Sequence, residues 1–175
     1  MAHSPCPFPT SGPPLRLGCR KFSFFQKARL SHAQLGVLFA GKNFPWGTDM
    51  ITHSQVNYYS SSSYAYDVSP TQGYHPTYGK GSSPYSSPVG SFAPNGYGLY
   101  DIAGNRWEWC WDWYGSYAAG AQTDPRGATP GSYRVIRGGS WFSYADYCRA
   151  AYRGNNYPVS SYYYLGFRVA LSSVP

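Results

Sequence analysis

The chain has 175 residues, enough for one domain with a hydrophobic core and too few for two. Aromatic residues make up 19% of it and charged residues only 12%, a composition that argues against a helical bundle and favours short strands, turns and an aromatic core. The formal net charge is +7, but six basic residues precede the first acidic one, Asp49. The nearly neutral remainder argues against nucleic-acid binding through the body of the chain.

Residues 1–42 form a proline-rich, basic head, for which we expect disorder apart from a weakly helical patch at about 26–39. The apolar run at 34–41, QLGVLFAG, is too short for a membrane span, which needs roughly 20 apolar residues. It also lies too far along the chain for a standard signal peptide. We therefore expect no membrane span, and the sequence assigns no compartment.

Residues 43–92 are rich in serine, tyrosine, proline and glycine and show almost no 3.6-residue periodicity. They predict a long loop whose aromatic residues anchor it to a core. Farther along, apolar and polar residues alternate over 133–141 and 165–173, which predicts two strands. The first strand breaks at Gly138 and Gly139, where we expect a bulge or a close approach of the backbone.

The segment 95–115, NGYGLYDIAGNRWEWCWDWYG, combines glycines and acids with four tryptophans. Its glycines argue against a helix. Trp107, Trp109, Trp111 and Trp113 alternate, which predicts a strand whose tryptophans pack beneath a loop.

Four strings in this order carry a family resemblance: FPWG (44–47), PVGSFAPNGYGLYDIAGNRWEWCWDWY (88–114), RVIRGGSW (134–141) and CRAAYR…LGFRVA (148–170). Together they resemble the formylglycine-generating enzyme family, also called the sulfatase-modifying factor domain. The resemblance implies an irregular α+β fold over residues 43–175, the C-type-lectin-like variant of that family, with small antiparallel sheets and long loops. Family members carry a longer N-terminal half, so residues 1–42 are expected to be an atypical or truncated head.

The resemblance also raises the question of catalysis. The enzymes of this family oxidise a sulfatase cysteine to formylglycine, using two cysteines of their own, five residues apart, to hold copper. Cys148 matches the second position and Ser143 replaces the first. A hydroxyl is a poor Cu(I) ligand and cannot cycle through a disulfide. We therefore expect no copper and a non-catalytic domain, with a formylglycine-generating oxidase whose missing thiol is supplied elsewhere as the alternative.

A structural calcium ion is implied for the tryptophan-rich segment. By resemblance its ligands are the side chain of Asp101, the carbonyls of Gly104 and Arg106, and the carboxylate of Glu108, an oxygen set that suits calcium. The alternative is that both acids only accept hydrogen bonds or pair with arginine. A second, weaker calcium site would start from Asn57 and Tyr58, where the sequence offers no acid to complete it.

Two cysteines lie in the structured blocks. The family fold brings the strand of Cys110 near the segment of Cys148, so the pair is a disulfide candidate. A disulfide would imply an oxidising compartment and exposure at the surface or outside the cytoplasm. The alternative is two buried thiols acting as small hydrophobic groups.

Seven of the 19 tyrosines lie between residues 144 and 164, among serines and asparagines. Tyrosine, serine and asparagine are typical of antibody-like binding surfaces. Tyr162, Tyr163 and Tyr164 cannot all point inward from one element, so some of them must face solvent. For Tyr152 core packing is the alternative. The predicted binding residues are Phe142, Ser143, Tyr144, Asp146, Tyr147, Tyr152, Asn155, Asn156, Tyr157, Ser160, Ser161, Tyr162, Tyr163 and Tyr164.

This pattern resembles one set within the family, the variable proteins of diversity-generating retroelements. There, adenines of a template become any base in the expressed copy, and asparagine codons scatter mainly to the residue types found here. The resemblance implies a scaffold with a mutable surface at 142–164 that binds a protein or a small molecule. A fixed binding domain is the alternative.

Overall fold

The computed structural model describes residues 41–117, 119–121, 127–128 and 131–169. The expected disordered head and its helical patch lie outside these residues, as does the end of the strand predicted at 165–173. Within the described residues, no helix has the length and apolarity to cross a membrane.

Four short strands and one 3-10 helix are the regular elements of the described chain. They are β1 (Trp107–Trp113), β2 (Arg134–Arg137), the 3-10 helix (Ala145–Cys148), β3 (Gly154–Asn156) and β4 (Leu165–Phe167). Little helix, one small sheet and long loops agree with the predicted irregular α+β class, while the C-type-lectin-like topology stays a prediction.

The strands form one sheet in the order β3-β2-β1-β4. β2 is antiparallel to both β1 and β3, but β4 runs parallel to β1. The sheet is therefore mixed, whereas small antiparallel sheets were expected. The chain leaves β3 at one edge of the sheet and crosses through residues 157–164 to the other edge, where it enters β4 in the direction of β1.

The strand predicted at 133–141 ends at Arg137, before the two glycines with positive φ where its break was predicted. A Cβ atom on Gly139 would lie 2.9 Å from Sγ of Cys148, which confirms the predicted close approach. In β1, Trp107 is buried but Trp111 is 85% exposed, so the tryptophans do not all pack beneath a loop. Trp111 and Trp113 instead lie against the Arg134 guanidinium, 4.9 and 3.6 Å from their ring centroids.

The core lies mainly under the loops. Its buried cluster consists of Phe44, Ile51, Val56, Tyr58, Ala103, Ala145 and Cys148. Between residues 43 and 92 the chain forms isolated bridges but no strand, as the composition predicted. Phe44 and Tyr58 are fully buried, so aromatic side chains do anchor this loop.

A carboxylate fixes the same loop from within. Asp67 accepts hydrogen bonds from the hydroxyls of Tyr58 and Ser60 and from the backbone N–H groups of Ser61 and Ser69. Burial and the neighbouring Asp67 raise the pKa of Tyr58, which therefore stays a protonated donor. Because its hydrogen bonds are all made within the loop, this network stabilises irregular backbone that lies outside the sheet.

Candidate binding surface

Aromatic side chains before the 3-10 helix and before β4 face solvent together. Phe142 is 37% exposed, Tyr144 43%, Tyr162 48% and Tyr163 58%. The expectation that the triple tyrosine run cannot turn wholly inward is confirmed. Only Tyr164 of that run is half-buried.

Trp141 lies beneath these residues and connects them. It is 4% exposed and packs edge-on against Phe142, at 5.0 Å between ring centroids, and in a stack with Tyr163 at 6.0 Å. Phe142 in turn contacts Tyr164 edge-on at 5.0 Å, and Tyr164 stacks on Tyr162 at 5.0 Å. One buried indole thus supports a continuous set of rings from two separate segments.

Tyrosines of the long loop extend this set, and the sequence did not identify them as site residues. Tyr59 packs edge-on against Tyr144 at 5.3 Å and against Tyr74 at 4.8 Å. Tyr85 packs edge-on against Trp141 at 5.2 Å. The frequent tyrosines of the loop predicted that it is anchored to the core, but they did not indicate on which face of the domain the rings lie.

We call these eight side chains the aromatic surface. Its members are Tyr59, Tyr74, Tyr85, Phe142, Tyr144, Tyr162, Tyr163 and Tyr164. None of them is an acidic or basic residue, and burial raises the pKa of Tyr164. The surface offers ring faces, ring edges and hydroxyl groups for contact.

Several predicted binding residues belong instead to the supporting structure. Ser143 is buried, and its hydroxyl lies 2.9 Å from that of Ser140. Tyr147 and Tyr152 are half-buried, pack on each other at 4.9 Å, and both contact the Trp107 ring. For these three residues the structure replaces the predicted surface position with packing, because the turn at 140–143 and the sheet face enclose them.

The other predicted residues lie apart from the aromatic surface or beside it. Tyr157 is 52% exposed and stacks on Tyr133, with their hydroxyl oxygens 2.8 Å apart. Asn156 accepts the Tyr157 N–H through Oδ1 at 2.9 Å. Asp146, in the 3-10 helix, is half-buried with its Oδ1 unpaired. The remaining members, on β3 and the loop after it, are Asn155, Ser160 and Ser161.

The two positions matching the family's copper cysteines are both enclosed. The Ser143 hydroxyl accepts a hydrogen bond from the Ser140 N–H at 3.0 Å. Cys148 is fully buried next to Gly139, and burial raises the pKa of its thiol. Because copper binds the thiolate, a thiol held protonated by burial is a poor ligand.

The predicted disulfide is not formed. Cys110 and Cys148 are both free. Cys148 belongs to the buried cluster under the loops, whereas Cys110 lies half-buried on β1, where burial raises the pKa of its thiol. The two thiols thus lie in different surroundings, and they give no indication of compartment.

An arginine occupies the carboxylate of Glu108, one of the four ligands expected around calcium. Arg168 donates to both carboxylate oxygens of Glu108, at 2.7 and 2.9 Å. Its other N–H groups donate to the carbonyls of Tyr100 and Asp101, each at 3.0 Å. One guanidinium thus satisfies four oxygen acceptors, and the pairing with arginine is the arrangement found for Glu108.

The remaining calcium candidates fit the ion only in part. Oδ1 of Asp101 is buried without a partner, and burial raises the pKa of this carboxyl group. The Gly104 carbonyl accepts the Arg106 N–H at 2.7 Å. At the weaker site, Oδ1 of Asn57 is also buried and unpaired, but the Tyr58 carbonyl is bonded to His53. A calcium ion would have to displace Arg168 from Glu108, so the donor set does not fit the ion in this arrangement.

The described chain is therefore a loop-rich domain with one small mixed sheet and an exposed aromatic face. Residues 27–173 match the family model of the sulfatase-modifying factor enzyme 1-like domain, and the chain belongs to this family.

Three relatives illustrate the similarity. The formylglycine-generating enzyme of Thermomonospora curvata is 38% identical over 137 residues, which cover 73% of this chain and 42% of that enzyme. The serine/threonine-protein kinase pkn1 of Chlamydia pneumoniae is 52% identical over 88 residues, 47% of this chain and 14% of the kinase. Among solved structures, Treponema denticola variable protein 1 matches with a TM-score of 0.45 and 48% identity, over 47% of this chain and 30% of that one. The chain spans less than half the length of the curated relatives it matches.

Proposed function

We propose that this chain is a non-catalytic binding domain that takes a protein partner on the aromatic surface. The observation that carries the proposal is the joining of rings from three segments of the chain over one buried tryptophan, Trp141, with Tyr74, Phe142, Tyr144, Tyr162 and Tyr163 exposed. Tyrosine provides large, rigid contacts at a low cost in side-chain entropy, and aromatic anchors dominate many protein interfaces. An exposed, continuous group of rings suits a broad partner surface better than a small molecule.

The contrast between exposed and buried residues in this segment favours a surface whose residues can vary. Phe142, Tyr144, Tyr162 and Tyr163 are exposed, while their neighbours Trp141 and Ala145 are buried. Exposed residues can change with little effect on folding, whereas buried ones cannot. We therefore propose that a retroelement varies the exposed residues and leaves the buried ones unchanged.

A selection experiment tests the binding function. The full chain is displayed on yeast with Phe142, Tyr144, Tyr162 and Tyr163 randomised, and it is selected against a purified test protein, streptavidin. Specific binders should emerge from this library. A matched library randomised at Met50, Lys80, Ser82 and Val89, which are exposed and outside the aromatic surface, should yield none, and equal success of both libraries would contradict the proposal.

The diversification is tested by the gene locus. Sequencing several kilobases from independent isolates should reveal a nearby reverse transcriptase gene and a second copy of codons 141–168 that differs only at adenines. An invariant locus with no such copy would contradict diversification by a retroelement, and the surface would then be a fixed one.

The second candidate is a formylglycine-generating oxidase, favoured by membership of the family and by the identity to the Thermomonospora enzyme. Ser143 and the buried Cys148 argue against it. The test is incubation of purified protein with copper, oxygen and a CxPxR peptide. Formation of formylglycine would overturn the non-catalytic proposal.

A further inference from the structure

A cleft of about 610 Å³ opens between the loop turns at residues 52–54, 70–78 and 91–92. It lies outside the aromatic surface, since none of the residues that line it belongs to that set. Its volume falls within the range of about 300 to 1,000 Å³ that is usual for small-molecule sites. The proposed function does not use this cleft.

Two buried histidines form its floor. Nε2 of His53 donates to the Tyr58 carbonyl at 3.2 Å, so Nδ1 accepts from the Thr71 hydroxyl at 3.0 Å. Nε2 of His75 donates to the His53 carbonyl at 2.9 Å, and Nδ1 accepts from the Thr77 N–H at 3.2 Å. Each ring is therefore held as one neutral tautomer with both nitrogens engaged. The histidines make the floor rigid and uncharged, and they leave no nitrogen for a metal ion or for proton transfer.

Aromatic rings and hydroxyl groups form the walls. The Tyr78 ring lies 4.6 Å from the His75 ring, and Phe92 lies edge-on to His75 at 5.7 Å. The Ser91 hydroxyl donates to the Pro88 carbonyl at 2.6 Å, and the Thr71 hydroxyl donates to His53. Both hydroxyls keep lone pairs that can accept from a ligand.

We propose that this cleft binds a neutral saccharide ring. Among the described residues that line it, none is Asp, Glu, Lys or Arg, so an ionised ligand would lose hydration without gaining an opposite charge. A pure hydrocarbon would cover the hydroxyls without satisfying them. A sugar meets both conditions, because its C–H face can lie on Tyr78 and Phe92 while its hydroxyls donate to Thr71 and Ser91.

Saturation-transfer NMR with the full chain tests the proposal. The probes are the methyl glycosides of glucose, mannose, galactose and N-acetylglucosamine, with methyl glucuronide as the charged counterpart. At least one neutral glycoside should receive saturation at its ring-face protons, and methyl glucuronide should receive none. A glycoprotein carrying the same terminal sugar, compared with its deglycosylated form, then shows whether free or protein-linked sugar binds more tightly.

Variants locate the binding. Tyr78→Ala should weaken it at least tenfold. Ser54→Arg changes an exposed wall residue and should abolish it without unfolding the domain. Met50→Thr, exposed and outside the cleft, is the matched control and should bind as the unmodified chain does. Binding retained in Ser54→Arg, equal transfer to neutral and charged probes, or no transfer to any neutral glycoside would overturn the proposal. None of these outcomes bears on the aromatic surface.

Discussion

Among the described glycines, Gly104 is the one at which neighbouring segments leave the least space. Its φ is +67°, and an added Cβ atom would overlap Cγ2 of Val56 and the carbonyl oxygen of Asn57. The Gly104 N–H donates to the Gly138 carbonyl at 2.7 Å, so this backbone cannot retreat without breaking a buried bond. The turn before β1 therefore depends on the missing side chain.

We predict that Gly104→Ala lowers the free energy of unfolding by about 3 kcal/mol or more, from left-handed backbone strain and overpacking together. Gly98→Ala is the matched control, since Gly98 has φ +74° but open space around its Cα. It should cost only the strain, about 1 kcal/mol. Urea unfolding of both variants provides the measurement, and equal losses would contradict the packing argument.

The paired histidines give a second prediction at this scale. Burial lowers the pKa values of His53 and His75 below the usual 6.5, so the unfolded chain takes up their protons at a higher pH than the folded chain does. The free energy of unfolding should therefore be highest above pH 6.5. It should fall as the pH drops below that value, by at most about 1.4 kcal/mol per pH unit for each histidine.

Denaturant titrations between pH 7.5 and about pH 5, above the range where most carboxylates titrate, measure this slope. His75→Gln should reduce it, because one of the two titrating groups is gone. A slope unchanged by the substitution would show that other groups cause the acid sensitivity.

At the level of elements, Arg168 ties the end of β4 to β1 and to the turn before β1. Its ion pair with Glu108 is about three-quarters enclosed. Breaking such a pair leaves a charged group without its partner, which costs more than the loss of an exposed pair. The guanidinium thus stabilises the turn through its positive charge and its hydrogen bonds, as a bound cation would.

We predict that Arg168→Met lowers the free energy of unfolding by about 2 to 3 kcal/mol. Lys42→Met removes the more exposed pair with Asp49 and should cost clearly less than Arg168→Met. Urea unfolding separates the two, and a loss in Arg168→Met no larger than the control would contradict this role.

The same arrangement makes a prediction about calcium. Since Arg168 already occupies Glu108 and two carbonyls, the melting temperature of the unmodified chain should be the same in calcium and in chelator. A higher melting temperature in calcium would show that the ion displaces the arginine, and the family's calcium site would then apply here.

Local sequence patterns predicted the secondary-structure elements better than the contacts between residues far apart in sequence. The alternation around Val135 and the glycine pair after it located β2 and its end, and the tyrosine run predicted its own exposure. The contact of Tyr59 with Tyr144 and that of Glu108 with Arg168 join residues far apart in sequence, and no periodicity encodes them. The parallel pairing of β4 depends in the same way on the path of an irregular crossing.

For the whole molecule, the core holds without a cross-link between the described cysteines. Alkylation of the denatured, unreduced protein, followed by peptide mapping, should find Cys110 and Cys148 both modified. A linked pair of peptides would contradict the structure. In the native protein, Cys148 should react only on unfolding, because it is fully buried.

We propose that a fixed framework carries a replaceable aromatic surface. The most direct test is to display every single substitution at residues 141–168 on yeast and to measure the amount of folded domain. Substitutions at Phe142, Tyr144, Tyr162 and Tyr163 should leave folding nearly unchanged, whereas those at Trp141 should abolish or strongly reduce it. If the exposed tyrosines prove as intolerant as Trp141, they are part of the core, and the account of a binding surface is wrong.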